Sequence, residues 1–420
     1  MIATPMSPLY RKIAWRLVPF LVLLYMVAFL DRVNISFAAL TMNRDMGISE
    51  SLYGFAAGIF FLGYCLFEVP ANMMLARMGA RRWIAILLVA WGIVSVGTAF
   101  VANRPQYVAA RFLLGVAESG FFPGVIFYLT IWLPRPMRAR VLALFMLAVP
   151  LCTFIGSPIS SHILLMNNMG GLKGWQWLFV LEGSPALILG IATWFVLADN
   201  PLSAPWLTGS EKEQLAQELH GDEQNLVSST QSGAWIHVTR ASVTYFLCSV
   251  GLYGLSFWLP KILVATGTSA TSTGWLAALP FGVGGVAMVF VSRLHKRGLL
   301  PAMYLLSASG FIAAALLHGL PAVVTGFSVS GIGIFAALPL FWGTITARMT
   351  GKAAGTAIAI VNSVGAIGGF TGPFIMGWLR DRTHGYAVGL LTIAASMIGA
   401  ALFAPTSISK QASEVVQPAD

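Results

Sequence analysis

The sequence predicts an all-α membrane protein with twelve transmembrane helices in two six-helix halves. Two observations carry this. The 420 residues are 57% hydrophobic and only 10% charged, with a mean hydropathy of +0.79. A water-soluble domain carries about 25% charged residues, so composition excludes one. Apolar runs of bilayer-spanning length, about 20 residues each, also recur along the whole chain between short polar loops.

The runs cover residues 17–40, 52–75, 83–102, 106–132, 141–165, 177–198, 241–265, 274–291, 299–316, 321–347, 355–379 and 386–404. The chain's 43 glycines and 21 prolines do not signal disorder, because transmembrane helices accommodate both where neighbours re-satisfy the backbone. Between the sixth and seventh runs the composition changes: residues 199–240 are polar, acidic and punctuated, with a short surface helix expected over 207–219. The division is therefore residues 1–198 as one six-helix bundle, 199–240 as a linker, and 241–420 as a second bundle with a short tail. The halves echo each other weakly. Arg77-Met78-Gly79-Ala80-Arg81-Arg82 after the second run has a counterpart in Arg293-Leu294-His295-Lys296-Arg297-Gly298 after the eighth.

Charge placement orients the chain. With the N-terminus inside, seventeen of the 25 lysines and arginines fall on the inner side, six on the outer side, and Arg32 and Arg111 within the membrane. An excess of basic residues on short loops marks the cytoplasmic side, which puts both termini in the cytoplasm. The net charge of +10 thus reflects topology and does not indicate nucleic acid as a partner. Residues 1–8 are short and polar and the first run is long enough to span, so no removable leader is expected. Cys65, Cys152 and Cys248 lie in apolar runs without metal-ligand spacing and read as small hydrophobes.

Four ionisable residues interrupt the apolar runs: Asp31 and Arg32 in the first, Arg111 and Glu118 in the fourth. A charge at bilayer depth is costly unless paired or facing a water-filled cavity, which makes each a functional-site hypothesis. At 1.5 Å per residue Asp31 lies about 21 Å from the inner face and Arg111 about 7 Å from the outer one, so in a core about 30 Å thick they share a level. Glu118 comes two turns further along the fourth helix, within reach of the long Arg32 side chain. Two crossed pairs follow, Asp31–Arg111 and Arg32–Glu118. Protonating Glu118 would leave the Arg32 guanidinium unpaired, and an anion could relieve that by offering a carboxylate for bidentate contact. Proton and anion would then bind best together. The competing reading is a pair of static clamps, at a higher desolvation cost than uncharged packing.

Three segments carry a resemblance. Phe29-Leu30-Asp31-Arg32-Val33-Asn34-Ile35, the stretch Ala110-Arg111-Phe112-Leu113-Leu114-Gly115-Val116-Ala117-Glu118-Ser119-Gly120-Phe121-Phe122-Pro123-Gly124, and Trp175-Gln176-Trp177-Leu178-Phe179-Val180-Leu181-Glu182-Gly183 are similar to signatures of the anion:cation symporter branch of the major facilitator superfamily. The likeness spans nearly the whole chain. It implies a secondary transporter that imports a small organic carboxylate (a sugar acid, dicarboxylate or aromatic acid) together with protons by alternating access. It further implies proton-coupling roles for Asp31 and Glu118, a substrate-binding role for Arg32, and a site role for Tyr64. No cofactor is expected beyond the coupling proton, and no metal. The expected setting is the lipid bilayer of a bacterial cytoplasmic membrane, with the protein as a monomer. One departure concerns the loop after the second helix, where Ala76 and Asn72 stand in place of the superfamily's usual acid and glycine.

Arg111, Tyr253, Trp342 and Asn362 complete the candidate substrate-binding set, the last three by their mid-depth positions in the seventh, tenth and eleventh runs. Glu68 is expected to contact the basic inner loops, Glu182 to be structural, and His162 to be a satisfied polar group. The six histidines are scattered, and no nucleophile–base constellation points to an enzyme. A channel would use rings of like charge in place of neutralised pairs. Proton-coupled efflux on the same fold is the nearest competitor, though buried arginines favour anions over cations. A membrane sensor would need a larger soluble output module than residues 199–240 provide.

Overall fold

The computed structural model describes residues 7–224, 234–294, 296, 298–348 and 352–404. The basic positions Arg297 and Lys410, the tail beyond residue 404 and the middle of the expected linker lie outside them. The described residues form fifteen α-helices: α1 (Pro8–Val33), α2 (Ile35–Asp45), α3 (Glu50–Met78), α4 (Ala80–Thr98), α5 (Arg104–Glu118), α6 (Phe121–Trp132), α7 (Arg135–Ile163), α8 (Gly174–Val196), α9 (Gly209–Gln224), α10 (Ala234–Ala265), α11 (Ala270–Val291), α12 (Leu299–Leu316), α13 (Leu320–Arg348), α14 (Lys352–Thr383) and α15 (Ala387–Phe403).

Each of the twelve apolar runs becomes a span, two of them interrupted. The first is α1 continued by α2, and the fourth is α5 continued by α6. Eleven spans satisfy length and hydropathy criteria for crossing a membrane, and α15, with 17 residues, is shorter. The interruption at Ser119 has a covalent contribution. Pro123 has no N–H to offer the Ser119 carbonyl and its ring crowds that carbonyl, which weakens the ladder where α5 ends at Glu118, whereas Pro150 and Pro373 sit inside unbroken helices. At Asn34 the backbone stays helical and its N–H still reaches the Leu30 carbonyl at 2.9 Å, and close by the Arg32 carbonyl accepts a hydrogen bond from Arg111 Nη2 at 3.2 Å. Both breaks thus lie beside the ionisable residues.

The bundle is apolar outside and partly polar inside. Ile188, Ile191 and Phe195 on α8 and Leu402 on α15 are well exposed, as a lipid-facing surface requires, whereas Asp31, Arg111, Glu118 and Glu182 are buried. Helix α3 packs along α14, and α7 packs along α11, joining the first six spans to the last six. Small residues permit the first contact: a Cβ on Gly54 would sit 2.3 Å from the Pro373 carbonyl oxygen and one on Gly58 2.7 Å from that of Phe370.

The two ends of the bundle differ. At the end away from α9 the halves are bolted together. Asp381, near the end of α14, accepts from the backbone N–H of Glu50 at 3.2 Å and of Ser51 at 2.8 Å, capping α3 from the opposite half. Lys261 of α10 pairs with Glu50 and Tyr53 donates to the Phe257 carbonyl at 2.6 Å, while within the second half Trp258 donates to the Pro373 carbonyl at 3.2 Å. At the other end α6 makes its main contacts with α1, α3, α4 and α7, all within the first six spans. There α9 lies against the start of α1 through Tyr10–Glu218 and a Lys12–Glu211 ion pair at 2.8 Å.

Candidate functional site

The last turn of α1 and the last residue of α5 meet at the two helix breaks. Arg32 Nη2 donates to Glu118 Oε2 at 2.8 Å, with the Glu118 side chain 1% and the Arg32 side chain 13% exposed. Aromatic rings enclose the guanidinium: its carbon lies 5.0 Å from the Phe60 ring centre, 5.6 Å from Tyr64 and 5.7 Å from Phe29. Ring faces attract a cation electrostatically, so the charge keeps favourable contacts where water is excluded. The opposite half also contributes: Arg32 Nη1 donates to the Tyr253 hydroxyl at 3.4 Å, and Tyr253 packs on Phe61 at 4.3 Å between ring centres. The pair is incompletely satisfied. Arg32 Nε and Glu118 Oε1 are buried without hydrogen-bond partners.

The expected Asp31–Arg111 pair does not form. Asp31 Oδ1 accepts from Ser95 Oγ at 2.8 Å and from Asn34 Nδ2 at 3.4 Å, turned towards α4. Arg111 instead donates to the Arg32 carbonyl, rests 5.4 Å from the Phe60 ring centre, and leaves Nε and Nη1 unpartnered. The depth estimate brought Arg111 to the right level, since it touches the backbone of Arg32. Direction was the error: consecutive residues on a helix point about 100° apart, so when Arg32 faces α5, Asp31 cannot.

Of the other candidates, Tyr64 and Tyr253 stand at the Arg32–Glu118 pair. Trp342 belongs to an aromatic cluster with Tyr245 and Phe341, at 5.0 and 5.4 Å between ring centres. Asn362 donates through Nδ2 to Glu68 Oε1 at 3.2 Å, and Ser363 Oγ donates to Glu68 Oε2 at 3.2 Å. Glu68 therefore reaches across to α14 and does not contact the basic loops. Sequence reasoning set it aside, although its position four residues after Tyr64 puts both on one helix face. Glu182 accepts from Ser160 Oγ at 2.6 Å, and His162 Nδ1 lies 2.7 Å from the Pro158 carbonyl oxygen. Among the described residues no cluster of three or more His, Cys, Asp or Glu could hold a metal ion.

Chemically, the site is a buried cation held by one carboxylate, lined by hydroxyls and aromatic rings from both halves. A proton on Glu118 would release a planar donor fork into that box. The profile of the Major Facilitator Superfamily matches residues 21–373. The chain belongs to that superfamily. A protein of Agrobacterium vitis described as "Putative tartrate transporter" is 44% identical over 93% of this chain and 89% of its own length. The quinolone resistance transporter of Acinetobacter baumannii is 35% identical over 92% of each chain. In three dimensions the xylose transporter XylE from E. coli, in its inward open conformation, superposes with a TM-score of 0.77 at 15% identity over 94% of this chain and 97% of that one. The chain is thus a multi-pass membrane transporter of a small molecule, not an enzyme.

Proposed function

We propose that the chain imports a small organic carboxylate across a bacterial cytoplasmic membrane by proton symport with alternating access. The observation that carries this is the Arg32–Glu118 pair at 2.8 Å, buried between the halves with Tyr253 of the opposite half in contact. Burying an ion pair forfeits hydration that mutual attraction rarely recovers in full. The pair is therefore poised to exchange its internal carboxylate for a substrate's, provided Glu118 takes a proton. Asp31, held by neutral donors, is a second place for a proton. With the basic loops inside, the bolted end carrying Glu50, Lys261 and Asp381 would face outwards and close the site from that side. Residues 1–198 and 241–420 then move as the two bundles, with 199–240 between them on the cytoplasmic side. The relative described as a tartrate transporter supports a carboxylate cargo.

One observation favours proton-coupled efflux instead: the relative named for quinolone resistance. Reconstituted protein separates the two readings. Glu118→Gln should keep carboxylate counterflow and lose accumulation driven by a pH gradient, because the neutral amide resembles the protonated acid and cannot be cycled. Intact gradient-driven accumulation by this variant would end the coupling role. Extrusion of an organic cation by wild-type protein under an inward proton gradient would replace import by efflux.

A further inference from the structure

Glu68 is 6% exposed and lies on α3 one turn beyond Tyr64. Both its oxygens are engaged by neutral donors of α14, Asn362 Nδ2 and Ser363 Oγ, each at 3.2 Å. Hydrogen bonds to a carboxylate normally shorten to about 2.7–2.9 Å when the donor is charged. No lysine or arginine is paired with Glu68 among the described residues, so a buried carboxylate is held by two long bonds that cross from one half to the other. Tyr64 meanwhile packs its ring 5.6 Å from the Arg32 guanidinium carbon. Four residues of helix rise about 6 Å, so the carboxylate anchor and the Glu68–Asn362 contact stand one turn apart along a single wall of α3. A ligand anchored on Arg32 that extends about one helix turn along α3 would meet Glu68 and Asn362 by parting their direct hydrogen bond.

The chemistry of that contact restricts what can enter it. A carboxylate placed between Glu68 and Asn362 would face the charge of Glu68, so the second carboxylate of a dicarboxylic acid has to lie elsewhere. An apolar group would strip Glu68 of both donors and leave a buried acceptor unsatisfied, which is costly. Of the groups on a small organic acid, a hydroxyl satisfies both sides, since its proton is donated to Glu68 while its lone pairs accept from Asn362 or Ser363. We propose that Glu68 is a specificity-determining residue that accepts a hydrogen bond from a substrate hydroxyl, making the cargo a hydroxy acid. The direct bonds to Asn362 and Ser363 hold the place of that hydroxyl. This inference rests on Arg32 as the carboxylate anchor.

Tartrate, malate and succinate test it, because they keep four carbons and two carboxylates while carrying two, one and no hydroxyls. Binding isotherms on the purified full-length protein should show wild type favouring tartrate over succinate by about tenfold or more, as expected for a hydrogen bond to a charged acceptor. Glu68→Gln, which keeps the side-chain shape and removes the charge, should shrink the tartrate-to-succinate ratio to about threefold or less. An unchanged ratio in a Glu68→Gln protein with a normal melting curve would overturn the role, and so would equal binding of the three acids by wild type. The wild-type series decides the matter alone if the variant does not fold. Preference for benzoate over all three acids would overturn the hydroxyl role and leave the anchor standing. Failure of wild type to bind any of the four would remove the anchor itself, and this inference with it.

Discussion

Arg32 is held on every side by a different kind of group: Glu118 at 2.8 Å, the Tyr253 hydroxyl at 3.4 Å, and the faces of Phe29, Phe60 and Tyr64. A flat, delocalised cation suits that box, since it can stack on rings while its edge nitrogens donate in a fixed fork. A lysine would keep the charge and lose both the stacking and the fork. Arg32→Lys should therefore weaken carboxylate binding by about tenfold or more, although the net charge is the same. A binding isotherm on the lysine variant checks this, and affinity within about twofold of wild type would reduce Arg32 to a structural clamp. Arg111 is a different case. Its guanidinium is 1% exposed, and its one hydrogen bond among the described residues runs to a backbone carbonyl. It lies beside the break in the first span and adds positive potential behind Arg32.

Among elements, α3 is the hinge plate of the molecule. One face packs on α5, where a Cβ on Gly115 would lie 1.9 Å from the Phe60 carbonyl oxygen. Another face packs on α14, where a Cβ on Gly54 would lie 2.3 Å from that of Pro373. Both glycines allow backbones to approach more closely than any side chain permits, but the contacts differ in kind. The α3–α5 contact lies within one half and is kept whatever the halves do. The α3–α14 contact lies between halves, and under alternating access it would part as this end opens. Gly115→Ala should therefore destabilise the protein throughout, by about 1–3 kcal/mol as for other overpacked interiors, lowering its melting temperature. Gly54→Leu should instead force the halves apart at the Asp381 end. Spin labels on the α2–α3 and α10–α11 loops should report a longer distance in Gly54→Leu and an unchanged one in Gly115→Ala. Equal distances in Gly54→Leu and wild type would show that this contact does not govern closure.

For the whole molecule, the ion pairs at the two ends do different work. At one end Lys261–Glu50 and the Asp381 cap join the halves. At the other, the described residues of the connecting segment are fastened to the first half, by Lys12–Glu211, by Arg81–Asp199 at 3.5 Å, and by Trp206 stacked on Trp132 at 5.3 Å. The hydrogen bond from Lys12 holds the solvent-exposed Glu211 carboxyl below its ordinary range. A carboxyl whose folded pKa is depressed contributes stability above its unfolded pKa and loses it as pH falls through the folded one. The melting temperature of wild type should thus exceed that of Glu211→Gln at neutral pH, with the gap closing in acid. A gap that widens in acid would contradict the pairing.

The twelve spans, their order and the positions of the four membrane-depth charges were legible in the sequence, because lipid imposes a length and a polarity on every span. The Arg32–Glu118 contact was legible too, since depth along a helix is a linear function of residue number. Azimuth was not legible. Asp31 turned towards Ser95 and left Arg111 to the Arg32 carbonyl, because neighbouring residues diverge by about 100° and only packing decides which of them faces a partner. Nor was the partnership of Glu68 with Asn362 and Ser363, or of Asp381 with the start of α3. Each joins residues nearly 300 or more positions apart, across an interface that comes into being only when the two halves close on each other.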